Sequence, residues 1–221
     1  CFFLIVNIED LNDGEKSIKI WDKFFKKYIE YKLLENWPIP CHGISIVNRL
    51  IKYVKQYGCL TYYKTNTCSK KISLSENNES EHASEYDSKY KYCNIKTCYL
   101  NGLEPILVYN WSDGACPYYR VPKLVLAHKM HGFPYLDISG EYGISTRDNY
   151  VISSCNYSLN ELVEIQAFLS TKFALFVFSI CNYRMRYLER YAFKFLPDII
   201  KMGHDRCNVS VGCGGVGGGV G

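Results

Sequence analysis

Residues 118–152 (YYRVPKLVLAHKMHGFPYLDISGEYGISTRDNYVI) interleave lysine, arginine, histidine and tyrosine with few carboxylates. Such side chains hold a polyanion more readily than they break bonds, because guanidinium and ammonium groups meet phosphates while tyrosine rings stack or pack. The phosphate candidates are Lys123, Lys129 and Arg147 in this run, and Arg184, Arg186 and Arg190, followed by Lys194, further along. His128 is a candidate DNA-facing imidazole and Tyr135 a candidate aromatic contact, beside Tyr118 and Tyr119. Asn149 carries an amide able to read a base edge. Taken singly, each is explained as well by a solvated basic face or a core tyrosine. The cluster is what points to nucleic acid.

Other chemistries find less support. His128-x-x-His131 and Cys93-x4-Cys98 lack the paired CxxC spacing that closes a tetrahedral zinc site. A magnesium nuclease needs grouped carboxylates, and Asp137, Glu141 and Asp148 are near one another in sequence, yet turn-forming roles account for them equally. No Cys or Ser stands in a local nucleophile signature with a histidine. No phosphate loop occurs, and the Gly-x-Gly-x-x-Gly spacing appears only within the C-terminal glycine run (Gly212 to Gly217), which follows no expected strand and precedes no expected helix.

The elements that must position these residues follow from apolar spacing. Residues 17–34 place Ile18, Trp21, Phe24, Phe25, Tyr28 and Ile29 near helical intervals, although Ile18-Lys19-Ile20 also allows a strand start; Pro38 and Pro40 end the element. Ile44, Val47, Leu50, Ile51, Val54 and Tyr57 form one face of a second helix, stopped by Gly58. Short strands are expected at 95–100 and 105–109 around Gly102, then at 123–130, 135–138 and 149–153. Ser158 and Glu161 make a capping box before a long helix reaching 182, and a shorter segment, 185–195, precedes Pro197.

Composition sets the outer limits. The chain has 221 residues, 48% of them apolar, which is enough for one or two modest cores. The net charge is only +4, but Glu76, Glu79, Glu81, Glu85 and Asp87 crowd one stretch, so the remainder is more basic than the total. Eleven cysteines and sequons at Asn78, Asn110, Asn156 and Asn208 raise the alternative of a secreted, disulfide-bonded binding domain. An odd count without framework spacing favours reduced thiols. The apolar runs are too short to predict a membrane span. The chain begins at Cys1 with CFFLIV, which reads as a strand within a longer protein.

Tyr119-Arg120-Val121-Pro122-Lys123-Leu124, Gly132-Phe133-Pro134-Tyr135-Leu136-Asp137, Gly140-Glu141-Tyr142-Gly143-Ile144-Ser145 and Tyr150-Val151-Ile152 resemble the target-recognition region of restriction–modification-type DNA adenine methyltransferases, whose relatives occur in bacteria and large DNA viruses. Ala167 to Lys172, Tyr183-Arg184-Met185-Arg186-Tyr187-Leu188-Glu189 and Phe195-Leu196-Pro197-Asp198-Ile199 resemble the helix pair that follows such strands. The similarity spans roughly residues 115–200. The family's Asn/Asp-Pro-Pro-aromatic motif and its glycine-bearing S-adenosylmethionine motif do not occur here; Trp37-Pro38-Ile39-Pro40 is no substitute. The resemblance therefore implies catalysis and S-adenosylmethionine upstream of Cys1, with no cofactor in this portion and CFFLIV as the last strand of the catalytic sheet.

The resulting expectation is an α+β chain with N-terminal helices and short strands, a twisted antiparallel sheet and a C-terminal helix pair. Its parts are an N-terminal portion (1–72), a low-complexity loop (73–89), a recognition-like sheet and helix pair (90–200) and a flexible glycine-rich tail (201–221). The expected partners are double-stranded DNA and an upstream methyltransferase catalytic domain, with no membrane. The expected location is the cytoplasm or the DNA-containing compartment of a virus-infected cell. The fragment alone is expected not to be catalytic, and a restriction endonuclease or nuclease-associated domain is the enzymatic alternative.

Overall fold

Apolar residues alternate along 17–32, and the alternation wins over the helical spacing also present there. In the computed structural model, which describes residues 16–23, 25–65, 90–102, 104–128, 133–144, 149–183, 187–203 and 205, this stretch is a hairpin of β1 (Ser17–Asp22) and β2 (Lys27–Lys32). Ile18, Ile20, Ile29 and Tyr31 turn inward against the core. The buried Asp22 carboxylate decides the turn by accepting the Phe25 N–H at 3.2 Å and the Gly43 N–H at 2.9 Å. The helix expected over 17–34 is thus corrected to a strand pair. The expected opening strand, the 73–89 loop and most of the glycine-rich tail lie outside the described residues.

Helix α1 (Ile44–Tyr57) forms as its apolar stripe predicts, burying Ile44, Val47, Leu50 and Ile51. Gly43 enters it with φ 69°, and a Cβ there would sit 2.8 Å from the Phe176 ring, so a side chain would have to hold a strained φ and displace that ring. Two further strands, β3 (Tyr63–Thr65) and β4 (Tyr92–Asn101), flank the 73–89 stretch in sequence. β4 pairs antiparallel with β5 (Glu104–Ser112) around Gly102, whose φ of 64° serves the turn. Then come β6 (Lys123–Ala127), β7 (Tyr135–Asp137), β8 (Gly143–Ile144) and β9 (Asn149–Ser153).

The expected single long C-terminal helix is two. α2 (Leu159–Leu169) opens on the capping box, with Ser158 N–H donating to Glu161 Oε2 at 2.6 Å and Glu161 N–H to Ser158 Oγ at 3.4 Å. It stops because the Ser170 and Thr171 hydroxyls take the Gln166 and Phe168 carbonyls, both at 2.7 Å. Thr171 then caps α3 (Lys172–Ile180), which leaves at a 73° bend. The bend turns Leu162, Ile165 and Leu169 of α2 and Ala174, Val177 and Ile180 of α3 onto one core. A 3-10 segment, Arg190–Phe195, follows.

The strands form three sheets: β1-β2, the four-stranded β3-β9-β6-β7, and β5-β4-β8. In the central sheet β6 is antiparallel to both β7 and β9. Leu124, Leu126, Tyr150 and Ile152 face the helices, while Val125 and Val151 face Ile95 and Ile144 of the third sheet. Both faces are covered, which is why β6 and β9 read as continuous apolar runs. Each fully buried Leu or Ile stabilises by about 1.5–3 kcal/mol. The chain is α+β, and the main core joins Tyr31, α1 and Leu60 to residues of β6, β9 and the helices, so one core spans both sides of 73–89.

Among the described residues no single helix is long and apolar enough to cross a membrane. The bent α2–α3 pair has that length and composition only when taken together; one side of it packs on the core, while Leu159, Val163, Phe173 and Leu175 are exposed.

Candidate nucleic-acid interface

Lys123 and Asp137 occupy facing positions on β6 and β7. The ammonium, 0% exposed, donates to Asp137 Oδ2 at 2.5 Å, to the Tyr142 carbonyl at 2.5 Å and to the Val121 carbonyl at 3.1 Å. Asp137 also accepts the Glu141 N–H at 3.0 Å and the Tyr142 N–H at 3.1 Å. Burial lowers the Lys123 pKa, and the bond to Asp137 and its charge act against that. The pair therefore ties the 138–142 turn to the sheet. Lys123 is corrected from a phosphate anchor to an internal strut, since none of its donors faces solvent. Asp137 is equally committed and offers a nuclease metal no open oxygen.

The far end of β6 holds His128, 7% exposed, stacked on Tyr187 with ring centroids 4.9 Å apart. Its carbonyl accepts the Leu188 N–H at 2.8 Å. Asn149, 1% exposed, pairs with Ala127 across the strands, donates its amide to the Lys96 carbonyl at 3.3 Å and accepts the Thr65 hydroxyl on its own carbonyl at 3.2 Å. Both expectations of DNA-facing groups are corrected here: the imidazole and the amide are turned inward and join β9, β4 and the 3-10 region. Tyr135 is half-buried in the smaller core near Tyr142, with its phenol pKa raised mainly by burial and then by Tyr109.

Among the described phosphate candidates Arg190 and Lys194 stand at the surface; the Arg190 guanidinium lies 5.1 Å from the Tyr191 ring centroid, and the Lys194 ammonium donates to the Asn36 carbonyl. The Arg190 carbonyl accepts the Tyr62 hydroxyl at 3.0 Å, which fixes the start of the 3-10 segment. Lys129, Arg147, Arg184 and Arg186 lie outside the described residues. Their nearest described neighbours in sequence are His128, Asn149, Tyr183 and Tyr187. Of these, His128, Asn149 and Tyr187 meet at one end of the central sheet through the Ala127–Asn149 pairing and the His128–Tyr187 stack.

Arg120 is a surface cation that spacing alone did not single out. It is exposed, with its guanidinium 5.6 Å from the Tyr119 ring centroid, and Tyr119 meets Tyr92 edge-on at 5.2 Å. Arg120 (φ 61°) and Tyr118 (φ 64°) both adopt the left-handed conformation that side-chain-bearing residues avoid. The Arg120 N–H donates to the Gly140 carbonyl at 2.7 Å, and a Cβ on Gly140 would lie 2.6 Å from the Arg120 carbonyl carbon. Strain held in place this way marks a loop whose shape matters. Nothing in Tyr-Tyr-Arg announces it, since tyrosine and arginine carry no preference for positive φ.

Metal and thiol chemistry are poorly served. No three His, Cys, Asp or Glu side chains among the described residues are grouped as a metal would require. Cys93 and Cys98 have pKa values raised to about 11, chiefly by burial, and Cys98 donates to the Val125 carbonyl at 3.7 Å. The described cysteines Cys41, Cys59, Cys93, Cys98, Cys116, Cys155 and Cys181 are free thiols.

No protein-family model matches the chain, and no curated protein or solved structure matches it either.

Proposed function

We propose that this chain binds double-stranded DNA, as the target-recognition part of an S-adenosylmethionine-dependent DNA adenine methyltransferase whose catalytic portion lies upstream. The observation that carries the reading is the meeting of His128, Asn149 and Tyr187 at one sheet end. Lys129, Arg147 and Arg186 are within two residues of those three in sequence, and Arg184 follows Tyr183. Arg190 adds an exposed guanidinium in the segment that follows. Guanidinium groups pair with phosphates in a fixed fork, which positions a duplex without reading its sequence.

Among the described residues no glycine turn offers S-adenosylmethionine a cradle. Gly43, Gly58, Gly102 and Gly140 are the described glycines with positive φ, and none links the end of a parallel strand to a helix as a dinucleotide- or methionine-binding turn would. This proposal assigns S-adenosylmethionine to an upstream catalytic domain and gives the present residues the binding and orientation of DNA. The nuclease alternative loses its central carboxylate to Lys123.

Fluorescence anisotropy with labelled duplex DNA over a salt series tests the reading. Binding should weaken steeply as salt rises, and an Arg184→Ala/Arg186→Ala variant should show weaker binding with a shallower salt slope. A folded protein that leaves duplex DNA unbound at low salt overturns it.

A further inference from the structure

The outer side of the β1–β2 hairpin is mostly rings and cations, with Ser17 and one exposed carboxylate, Glu30, which faces Lys19 across the strands. Trp21, Phe25 and Tyr28 are 46%, 58% and 67% exposed. Trp21 and Tyr28 stand opposite each other across the strands, with ring centroids 5.1 Å apart in an edge-on arrangement, so each keeps a ring face open. At the turn the Lys27 ammonium sits 5.8 Å from the Phe25 ring centroid. Residues 16–32 hold six lysines against two carboxylates. One of those carboxylates, Asp22, is buried and holds backbone N–H groups, while Glu30 accepts the Ser17 hydroxyl. The aliphatic side chains Ile18, Ile20 and Ile29 all face the core.

We propose that this outer face is a stacking platform for unpaired nucleotides, with Trp21, Phe25 and Tyr28 taking bases and Lys19, Lys26 and Lys27 taking the phosphates between them. Charge complementarity selects a polyanion. The absence of aliphatic side chains from the exposed face selects bases over acyl chains, because a membrane-seeking tip would present Leu or Ile beside its aromatics. Unpaired nucleotides are required because a base offers its face only when it is out of the duplex stack. The platform is separate from the sheet end that carries the duplex reading and does not rest on it.

The test is anisotropy of a labelled oligothymidylate of about twelve nucleotides, a length within the usual site range. Trp21→Ala and Tyr28→Ala should each weaken binding about tenfold, as expected for loss of one base–ring stack. Lys26→Glu/Lys27→Glu should make the salt slope shallower. Tyr99→Ala, an exposed ring on the β4–β5 ribbon, should change nothing. Both ring substitutions are at exposed positions, and unchanged circular dichroism confirms that the variants are folded; if Trp21→Ala does not fold, Tyr28→Ala alone decides. Equal weakening by Tyr99→Ala, indifference of the strand to Tyr28→Ala, or binding to anionic phospholipid vesicles without binding to the oligonucleotide overturns the proposal. Arg190→Ala measured on duplex DNA keeps the two sites distinguishable, because it should affect the duplex and spare the single strand.

Discussion

Lys123 Nζ lies 2.5 Å from Asp137 Oδ2, and neither side chain reaches solvent, at 0% and 2% exposure. Two charges are hidden where the sequence suggested one cation at the surface and one turn-capping acid. Such a pair adds little net stability over an apolar replacement, but breaking it from one side strands a charge without solvent. Asp137 is also the anchor of the 138–142 turn, so the loss spreads to the Arg120–Gly140 contact.

Asp137→Asn should therefore destabilise the protein by about 3–5 kcal/mol, and Lys123→Met by a similar amount. Urea unfolding measures both. The double variant Lys123→Met/Asp137→Leu should recover part of the loss, since it leaves no unpaired charge. A double variant as unstable as the sum of the singles would show that the turn's N–H bonds to Asp137, rather than the ion pair, hold this region.

The parts of the fold written in local signals were legible. The α1 stripe with Gly58 after it, the Ser158–Glu161 box and the β4–β5 turn at Gly102 each depend on a few neighbouring residues, and each is where the spacing put it. Residues 17–32 satisfied two periods at once, and the choice fell to the Asp22 bond with Gly43, which is distant in sequence and invisible to periodicity. That error hid the hairpin's outer face, because a helix would have buried Trp21 and Tyr28 in its stripe. The α2–α3 break was missed for a related reason. Ser170 and Thr171 interrupt no apolar pattern, and only their hydroxyl bonds to the preceding carbonyls show where the helix ends.

For the site, residue type was a poor guide to exposure. Lys123, His128 and Asn149 look like surface readers in sequence, yet each falls on a strand or strand end covered on both faces. Covering by the β5-β4-β8 sheet is a tertiary fact that the strand's own residues do not encode. Arg190 was recognisable, since it follows the apolar helices in a run rich in cations.

His42 gives a pH dependence of known sign. The imidazole is buried between α3 and the hairpin, with Nε2 3.0 Å from the Ser179 carbonyl oxygen and its ring edge-on to Phe176. Burial lowers its pKa below the ordinary 6.5, and the nearby Lys23 lowers it further; the Ser179 carbonyl and Asp22 oppose both. The unfolded chain takes up this proton first as pH falls, so stability present above about pH 6.5 is lost as acid approaches the folded-state pKa. Urea midpoints at pH 7.5 and 5.5 should differ more for the wild type than for His42→Asn. An equal drop in both would assign the acid sensitivity to other groups.

Arg120 and Gly140 separate shape from charge. Gly140→Ala would place a Cβ 2.6 Å from Arg120 and Val121 backbone atoms at φ 69°, so it should destabilise by about 2 kcal/mol or more. Arg120→Gly acts in the opposite sense. It keeps the N–H bonded to the Gly140 carbonyl and relieves the positive φ, a strain of about 1 kcal/mol offset in part by the freer unfolded chain. Thermal unfolding should thus leave Arg120→Gly as stable as the wild type or slightly more so. If the exposed guanidinium touches phosphate, the same variant should bind duplex DNA several-fold more weakly, with a salt slope lower by about one. A protein would not hold arginine in a conformation suited to glycine for stability alone, so a variant that gains stability and loses nothing in binding would remove Arg120 from the interface.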